Sequence, residues 1–454
     1  MKKVVWYQLE IKRTSMKKRN IISVILVLIT LSVFSQDLNS AKLDSLFDTL
    51  EANDRFMGSI ALSHDGQNIY AKAIGYTDVE TDKKATPETK YRVGSITKMF
   101  TSSLIFLTVE NGKLNLDQTI DSHFPKIKNA SKITIGNLLN HRSGIHNFTS
   151  REDYQTWDTE AKTKEELLKI IEEGGSVFEP NSKAEYSNSN YVLLTFILEE
   201  TFKKPYSELI TEKITTPLGL ENTYVGSRID VTGEEANSYA YSQNWEKKTE
   251  TDMSIPLGAG SIVSNPKDLN TFIEALFAGK LISEESLNQM KTISDGYGMG
   301  IFPVPFYDKK GFGHNGGIDG FTSVLGYIPE DRLSVVLTSN GNRYANNDII
   351  IAALSAFYGK PFEIPTFKSL ELKTEDLDKY LGVYASTQIP LKITITKNGN
   401  TLFGQATGQP SFPLEAVETD AFEFAQAGVR LEFKPDDKAM TLKQGGGVFE
   451  YKRE

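Results

Sequence analysis

Three short patterns in this chain combine residue types that can make and break an acyl bond. Ser95-Ile96-Thr97-Lys98 sets a hydroxyl and an amine three residues apart, which puts both on one face of a helix. A serine at the first turn feels the positive end of the helix dipole, which favours the alkoxide it must become. A lysine drawn out of water loses its charge more readily, and the neutral amine can take the hydroxyl proton. Tyr186-Ser187-Asn188 offers a phenol that can join the proton relay and an amide that can orient a substrate. His314-Asn315-Gly316-Gly317 follows a short strand pattern, and its glycines would let a substrate backbone lie along the strand edge.

Each pattern has rivals in the chain. Ser15 to Lys18 precedes an apolar N-terminal run, and Ser264 to Lys267 contains Pro266 and reads as a helix start capped by Ser264. Tyr344-Ala345-Asn346 repeats the second pattern, and His64-Asp65-Gly66 reads better as a hairpin turn. A G-x-G-x-x-G at Gly311, Gly313 and Gly316 neither ends a buried strand nor opens a helix, so it does not read as a dinucleotide site. The chain has no cysteine, which removes thiol nucleophiles, disulfides and thiolate metal sites. Its five histidines are scattered and no H-E-x-x-H occurs, so neither a metal nor a cofactor is expected. With 50 basic against 59 acidic residues it lacks the basic footprint of a nucleic-acid binder.

The elements that must position these groups can be read from periodicity. Residues 58 to 76 alternate as a hairpin about Asp65-Gly66. Ser95 to Glu110 is apolar around nearly its whole circumference, which predicts a central buried helix closed at Asn111-Gly112. Further helices are predicted at 163–173, 191–202, 205–213, 267–278 and 346–358, and strands at 312–314, 321–328 and 333–338. Strands at both ends with helices between them predict an α+β domain whose sheet joins its first and last parts. After Pro361 and Pro365, short alternating runs separated by turn residues predict an antiparallel meander, a small barrel or curved sheet.

The N-terminus reads as a leader. Lys17, Lys18 and Arg19 precede the apolar run Ile21 to Phe34, which is short of the ~18–20 residues of a spanning helix and is followed by Ser35-Gln36. Residues 1–36 are therefore expected to be a signal peptide, 37–363 a catalytic domain and 364–454 a C-terminal β-domain. The expected protein is exported, periplasmic or extracellular, with no stable membrane span once the leader is removed. Without residues 1–36 the chain carries 43 basic and 58 acidic residues, a net charge of −15.

The order of the three patterns resembles the serine β-lactamase and penicillin-binding-protein superfamily, and within it the class C β-lactamase-like DD-peptidases, D-aminopeptidases and esterases. The resemblance extends through Tyr91-Arg92-Val93-Gly94, Leu138-Leu139-Asn140-His141-Arg142-Ser143-Gly144-Ile145, Pro217-Leu218-Gly219-Leu220, Ala259-Gly260-Ser261-Ile262-Val263-Ser264, Tyr297-Gly298-Met299-Gly300 and Gly320-Phe321, from about residue 48 to 360. It implies that Ser95 forms an acyl-enzyme, that Lys98 and Tyr186 manage the proton, and that Asn188 holds the substrate. It also implies an oxyanion hole from the backbone N–H groups of Ser95 and Gly317, with His314 and Gly316 on the substrate strand. His314 stands where many β-lactamases carry a lysine. A histidine with an ordinary pKa near ~6.5 is mostly neutral at pH 7, which points toward the peptidase and esterase members. Leu381-Gly382-Val383-Tyr384 and the strand texture around it resemble the lipocalin-like domain of some of these hydrolases, which could narrow the active-site entrance or support self-association. The expected activity is hydrolysis of a small-molecule or peptide substrate at a peptide, amide or ester bond. A β-lactamase and a catalytically silent binder or sensor are the alternatives.

Overall fold

A computed structural model of the chain describes residues 38–454 except 243, 368, 369, 371, 410 and 445. The predicted leader lies outside the described residues. Helix α1 (Ser40–Ala52) leads into a hairpin of β1 (Phe56–His64) and β2 (Gln67–Ile74). Its turn residues Asp65 and Gly66 both have positive φ, 54° and 76°, the geometry that matches the twist of a tight hairpin. The helical region follows, with α2 (Thr97–Glu110), α3 (Asn188–Phe202) and α4 (Pro266–Phe277) as its main members. The chain then returns through β3 (Phe302–Pro303), β4 (Phe312–Ile318), β5 (Phe321–Ile328) and β6 (Leu333–Asn342) to α5 (Asn346–Phe357).

These strands form one antiparallel sheet in the order β3-β4-β5-β6-β1-β2. The first hairpin joins the last strand directly, with Ser59 opposite Thr338 and Ala61 opposite Val336. Every residue of β6 is buried, because helices cover both faces. Leu46, Phe47 and Leu50 of α1 pack with Leu337 and Ile349 on one side. Leu325 and Val336 join the large helical core on the other. Within that core the rings of Phe100 on α2 and Phe272 on α4 stack at 3.8 Å between centroids. Helix α2 is buried around nearly its whole girth, as its sequence predicted.

Three local expectations are corrected. Strand β4 runs to Ile318, not 314, and takes Gly316 and Gly317 into the sheet. Helix α3 begins at Asn188 instead of Tyr191, because Asn147 Oδ1, from a distant loop, accepts the Asn188 N–H at 2.9 Å. The cap of α4 is Asn265, whose side chain accepts from the Asp268 N–H, and not Ser264.

The C-terminal region closes into an eight-stranded antiparallel barrel running from Gly382–Ala385 to Gly447–Arg453, each strand paired with its neighbour in sequence. Closure comes from pairing of the first and last strands, with Tyr384 opposite Arg453. The barrel is docked on the first domain through Glu415, which forms a forked ion pair with the buried Arg55 and a second, at 3.2 Å, with Arg343.

A buried charge cluster ties β4 to the segment before Ser95. The Arg92 guanidinium donates to Asp319 at 2.9 Å, to Glu250 at 2.8 Å and to the carbonyls of Ser227 and Thr251, both at 2.9 Å. Asp319 lies in the turn from β4 to β5, so this one side chain sets the distance between the Ser95 turn and the substrate strand. Arg92→Met strands a buried carboxylate and is expected to cost about 3–5 kcal/mol in urea unfolding. Arg151→Met, which removes the exposed Arg151–Asp153 pair, should leave the urea midpoint nearly unchanged.

Candidate active site

Ser95 lies in a single 3-10 turn, Gly94–Ile96, that feeds directly into α2. The turn is pinned on both sides. Val93 N–H donates to the Ile262 carbonyl at 3.0 Å, and Ile262 N–H donates to Thr97 Oγ1 at 3.0 Å. Gly94 takes a positive φ of 50°, and a Cβ there would stand 2.8 Å from the Gly317 nitrogen. A Cβ on Gly316 would come within 2.0 Å of the Val93 carbonyl oxygen. Glycine at both positions lets β4 lie against the nucleophile turn at backbone contact.

Lys98, the second residue of α2 and one turn beyond Ser95, is fully buried, while Ser95 stays half-exposed. Its Nζ lies 3.0 Å from Ser95 Oγ, 2.8 Å from Asn188 Oδ1 and 2.7 Å from the Ala259 carbonyl oxygen. Among the described residues no carboxylate pairs with it. Burial holds its pKa well below the ordinary lysine value and so favours the neutral amine. A neutral amine has two N–H donors and one lone pair. The two carbonyl oxygens accept the donors, which leaves the lone pair for the Ser95 hydroxyl proton.

Tyr186 donates its hydroxyl to Ser95 Oγ at 2.8 Å. Burial pushes its phenol above the usual range, so the proton stays on Tyr186 in the resting site. Asn188 is held rigidly: its Nδ2 donates to Thr149 Oγ1 at 3.0 Å, which turns Oδ1 toward Lys98. On β4, the His314 ring is buried and its Nδ1 meets the Asn315 carbonyl at 2.5 Å. Burial lowers its pKa to about 3, so this imidazole carries no charge at neutral pH. Gly317 is exposed on the same strand.

All seven residues singled out in the sequence thus meet in one place. Sequence reasoning missed Asn147 and Thr149, which orient Asn188, and the Ala259 carbonyl, which completes the lysine's shell. The last belongs to the Ala259-Gly260-Ser261 motif, so the segment had a signal although the role did not. Of the rivals, Ser15 to Lys18 falls outside the described residues, and Ser264 hydrogen-bonds with Thr223 Oγ1 at 2.8 Å. Asn346 of the second Tyr-x-Asn accepts from Asn342 at 2.6 Å, at the start of α5. A cleft of about 1300 Å³ runs from His314, Asn315 and Gly316 to the barrel, where Pro413, Glu415 and Phe424 form its far wall.

The comparisons with known proteins agree with this geometry. Residues 43–358 match the family model described as Beta-lactamase. Penicillin-binding protein 4* of Bacillus subtilis (strain 168) is 26% identical over 426 residues, covering 86% of this chain and 93% of that protein. The D-amino acid amidase of Ochrobactrum anthropi SV3, solved with L-phenylalanine amide, superposes with a TM-score of 0.64 at 28% identity, over 71% of this chain and 99% of its own. The octameric penicillin-binding protein homologue of Pyrococcus abyssi gives 0.62 at 26% identity, over 91% and 100%.

The neutrality of Lys98 has a signature in stability. The folded protein binds one proton fewer than the unfolded chain between the depressed pKa and the unfolded value of ~10.4. Stability contributed by this group therefore rises with pH across that window. Urea unfolding at pH 7, 8 and 9 should show wild type gaining on Lys98→Met by up to about 1.4 kcal/mol per pH unit. Parallel pH profiles would mean that Lys98 is charged in the fold.

Proposed function

The chain belongs to the Beta-lactamase family of serine hydrolases, and on that premise we propose that it is an exported hydrolase of D-amino-acid amides, peptides or esters working through an acyl-serine. The reading is carried by one observation: a fully buried Lys98 amine, with no carboxylate partner among the described residues, 3.0 Å from Ser95 Oγ, with Tyr186 2.8 Å away on the same oxygen. In the proposed reaction Lys98 Nζ takes the Ser95 proton as Oγ bonds to the substrate carbonyl carbon. The backbone N–H groups of Ser95 and Gly317 receive the oxyanion, at about 3 kcal/mol per donor. Tyr186 gives its proton to the departing nitrogen or oxygen as the C–N or C–O bond breaks, and regains one from Lys98. Water then attacks the acyl-serine with the same groups acting in reverse. Asn188 keeps Lys98 in line, and Gly316 lets the substrate lie against β4.

The D-amino-acid preference is supported by the similarity to a D-amino acid amidase and to a penicillin-binding protein. The preference for amides and esters over β-lactams rests on His314. Its uncharged ring supplies no fixed positive charge to hold a β-lactam carboxylate. The apolar run Ile21 to Phe34 supports export. The barrel wall would limit how large a substrate enters the cleft. Self-association is a further proposal, supported by the description of the Pyrococcus abyssi homologue as octameric, and sedimentation of the purified protein reads it.

Purified protein should turn over D-phenylalanine amide or a short acyl ester at least tenfold faster than a chromogenic cephalosporin. Ser95→Ala should abolish turnover and covalent labelling without loss of folding. A dominant cephalosporin rate would reassign the protein as a β-lactamase, and turnover by Ser95→Ala at the wild-type rate would remove the acyl-serine.

A further inference from the structure

One buried histidine remains outside this account. His141, of the Asn140-His141-Arg142-Ser143-Gly144 segment, is 1% exposed and adopts a left-handed φ of 60°, uncommon for a residue with a side chain. Such a conformation persists where its surroundings fix it. Here the surroundings are the residues on either side of Tyr186. The His141 carbonyl accepts from the Glu185 N–H at 2.9 Å. Its Nδ1 accepts from the Ser187 N–H at 3.2 Å. Its ring lies against the Tyr186 ring, 4.5 Å between centroids and 34° between planes. The N–H of the residue before the tyrosine, the peptide joining the tyrosine to Ser187 and the phenol face are thus all held by one residue.

The ring is fixed in one tautomer. The Ile145 N–H donates to Ser143 Oγ at 3.1 Å, and that hydroxyl donates to Asn190 Oδ1 at 2.6 Å. The Asn190 amide is thereby turned so that Nδ2 faces His141 Nδ1 at 3.4 Å. With two N–H groups directed at it, Nδ1 must be the bare nitrogen and Nε2 must carry the hydrogen. His314 is held in the opposite tautomer, since the Asn315 carbonyl can only accept from its Nδ1. Protonating His141 at Nδ1 would set two donors against each other. Burial keeps it neutral, with its pKa well below the ordinary histidine value.

We infer that His141 is the positioning residue of Tyr186: as the Nε2-protonated tautomer it grips the N–H groups of Glu185 and Ser187 and the tyrosine ring, and so holds the phenol within reach of Ser95. The inference rests on Tyr186 delivering a proton to the leaving group, as proposed above. That role matters most for an amine, which departs only with a proton, and least for p-nitrophenolate, which departs as an anion.

Two variants separate the parts of the grip. His141→Phe keeps a ring but cannot accept a hydrogen bond. His141→Asn keeps an acceptor and tolerates positive φ. A displacement of about 1 Å can cost up to about a hundredfold in rate. His141→Phe is accordingly expected to lower kcat on D-phenylalanine amide at least tenfold with KM within threefold, and kcat on p-nitrophenyl acetate by less than threefold. His141→Asn should recover the amide rate at least threefold over His141→Phe. Nitrogen-15 NMR of histidine-labelled wild type, assigned with these variants and His314→Phe, should place the His141 proton on Nε2 and the His314 proton on Nδ1. Equal losses on the two substrates, an unchanged amide rate, or a His141 proton on Nδ1 would overturn the inference. Loss of the acyl-serine reading would instead remove turnover in wild type while leaving the tautomers as stated.

Discussion

The site depends on burying a lysine that has no acid to pair with. A charged ammonium in that position would be costly, because desolvation favours the neutral form and no carboxylate offsets it. The fold supplies two carbonyl oxygens and a serine instead, and the amine is left with a lone pair at the nucleophile. Lys98 lies on α2, where Phe100, Ile105 and Phe106 are also buried. The apolar girth of α2 is therefore part of the chemistry, since a more exposed helix would return the lysine to its cationic state.

Around that lysine the structure is a set of distance constraints. The Ser95 turn is fixed by Ile262 on one side and brought against β4 by glycine at 94 and 316. Arg92 and Asp319 lock the same two segments from behind, through an ion pair with almost no solvent contact. Asn188 is aimed by Thr149, and Tyr186 by His141. Each catalytic group is oriented by a neighbour that does not itself meet substrate, which is how a site keeps its geometry before a substrate arrives. The barrel adds a boundary at a distance: Glu415, held by two arginines, keeps its wall across the cleft from β4.

Much of the fold was legible because it rests on period and turn chemistry. The Asp65-Gly66 hairpin, the buried α2 and the alternating strands after residue 391 declare themselves locally. Two of the misreadings share one cause. Gly316 and Gly317 fall beyond the strand read from the sequence, yet they pair with Ser323 and Thr322 of β5, and at Gly316 the Val93 carbonyl leaves no room for a side chain. The start of α3 depends on Asn147, and Asn147 is 41 residues away. In both cases the deciding partner comes from another part of the chain, where no local pattern records it.

The sequence by itself determined which groups could do the chemistry: a serine and a lysine on one helical face, a tyrosine with an asparagine, and a histidine before two glycines. It also determined which segments bury themselves, since period and apolar content need no partner to be read. What only the tertiary structure decided is the state of those groups. Lys98 is neutral, Tyr186 keeps its proton and His141 is held in one tautomer through desolvation and hydrogen bonds from residues 46 to 161 positions distant. Protonation state follows from the medium around a group, and that medium exists only once the chain has folded.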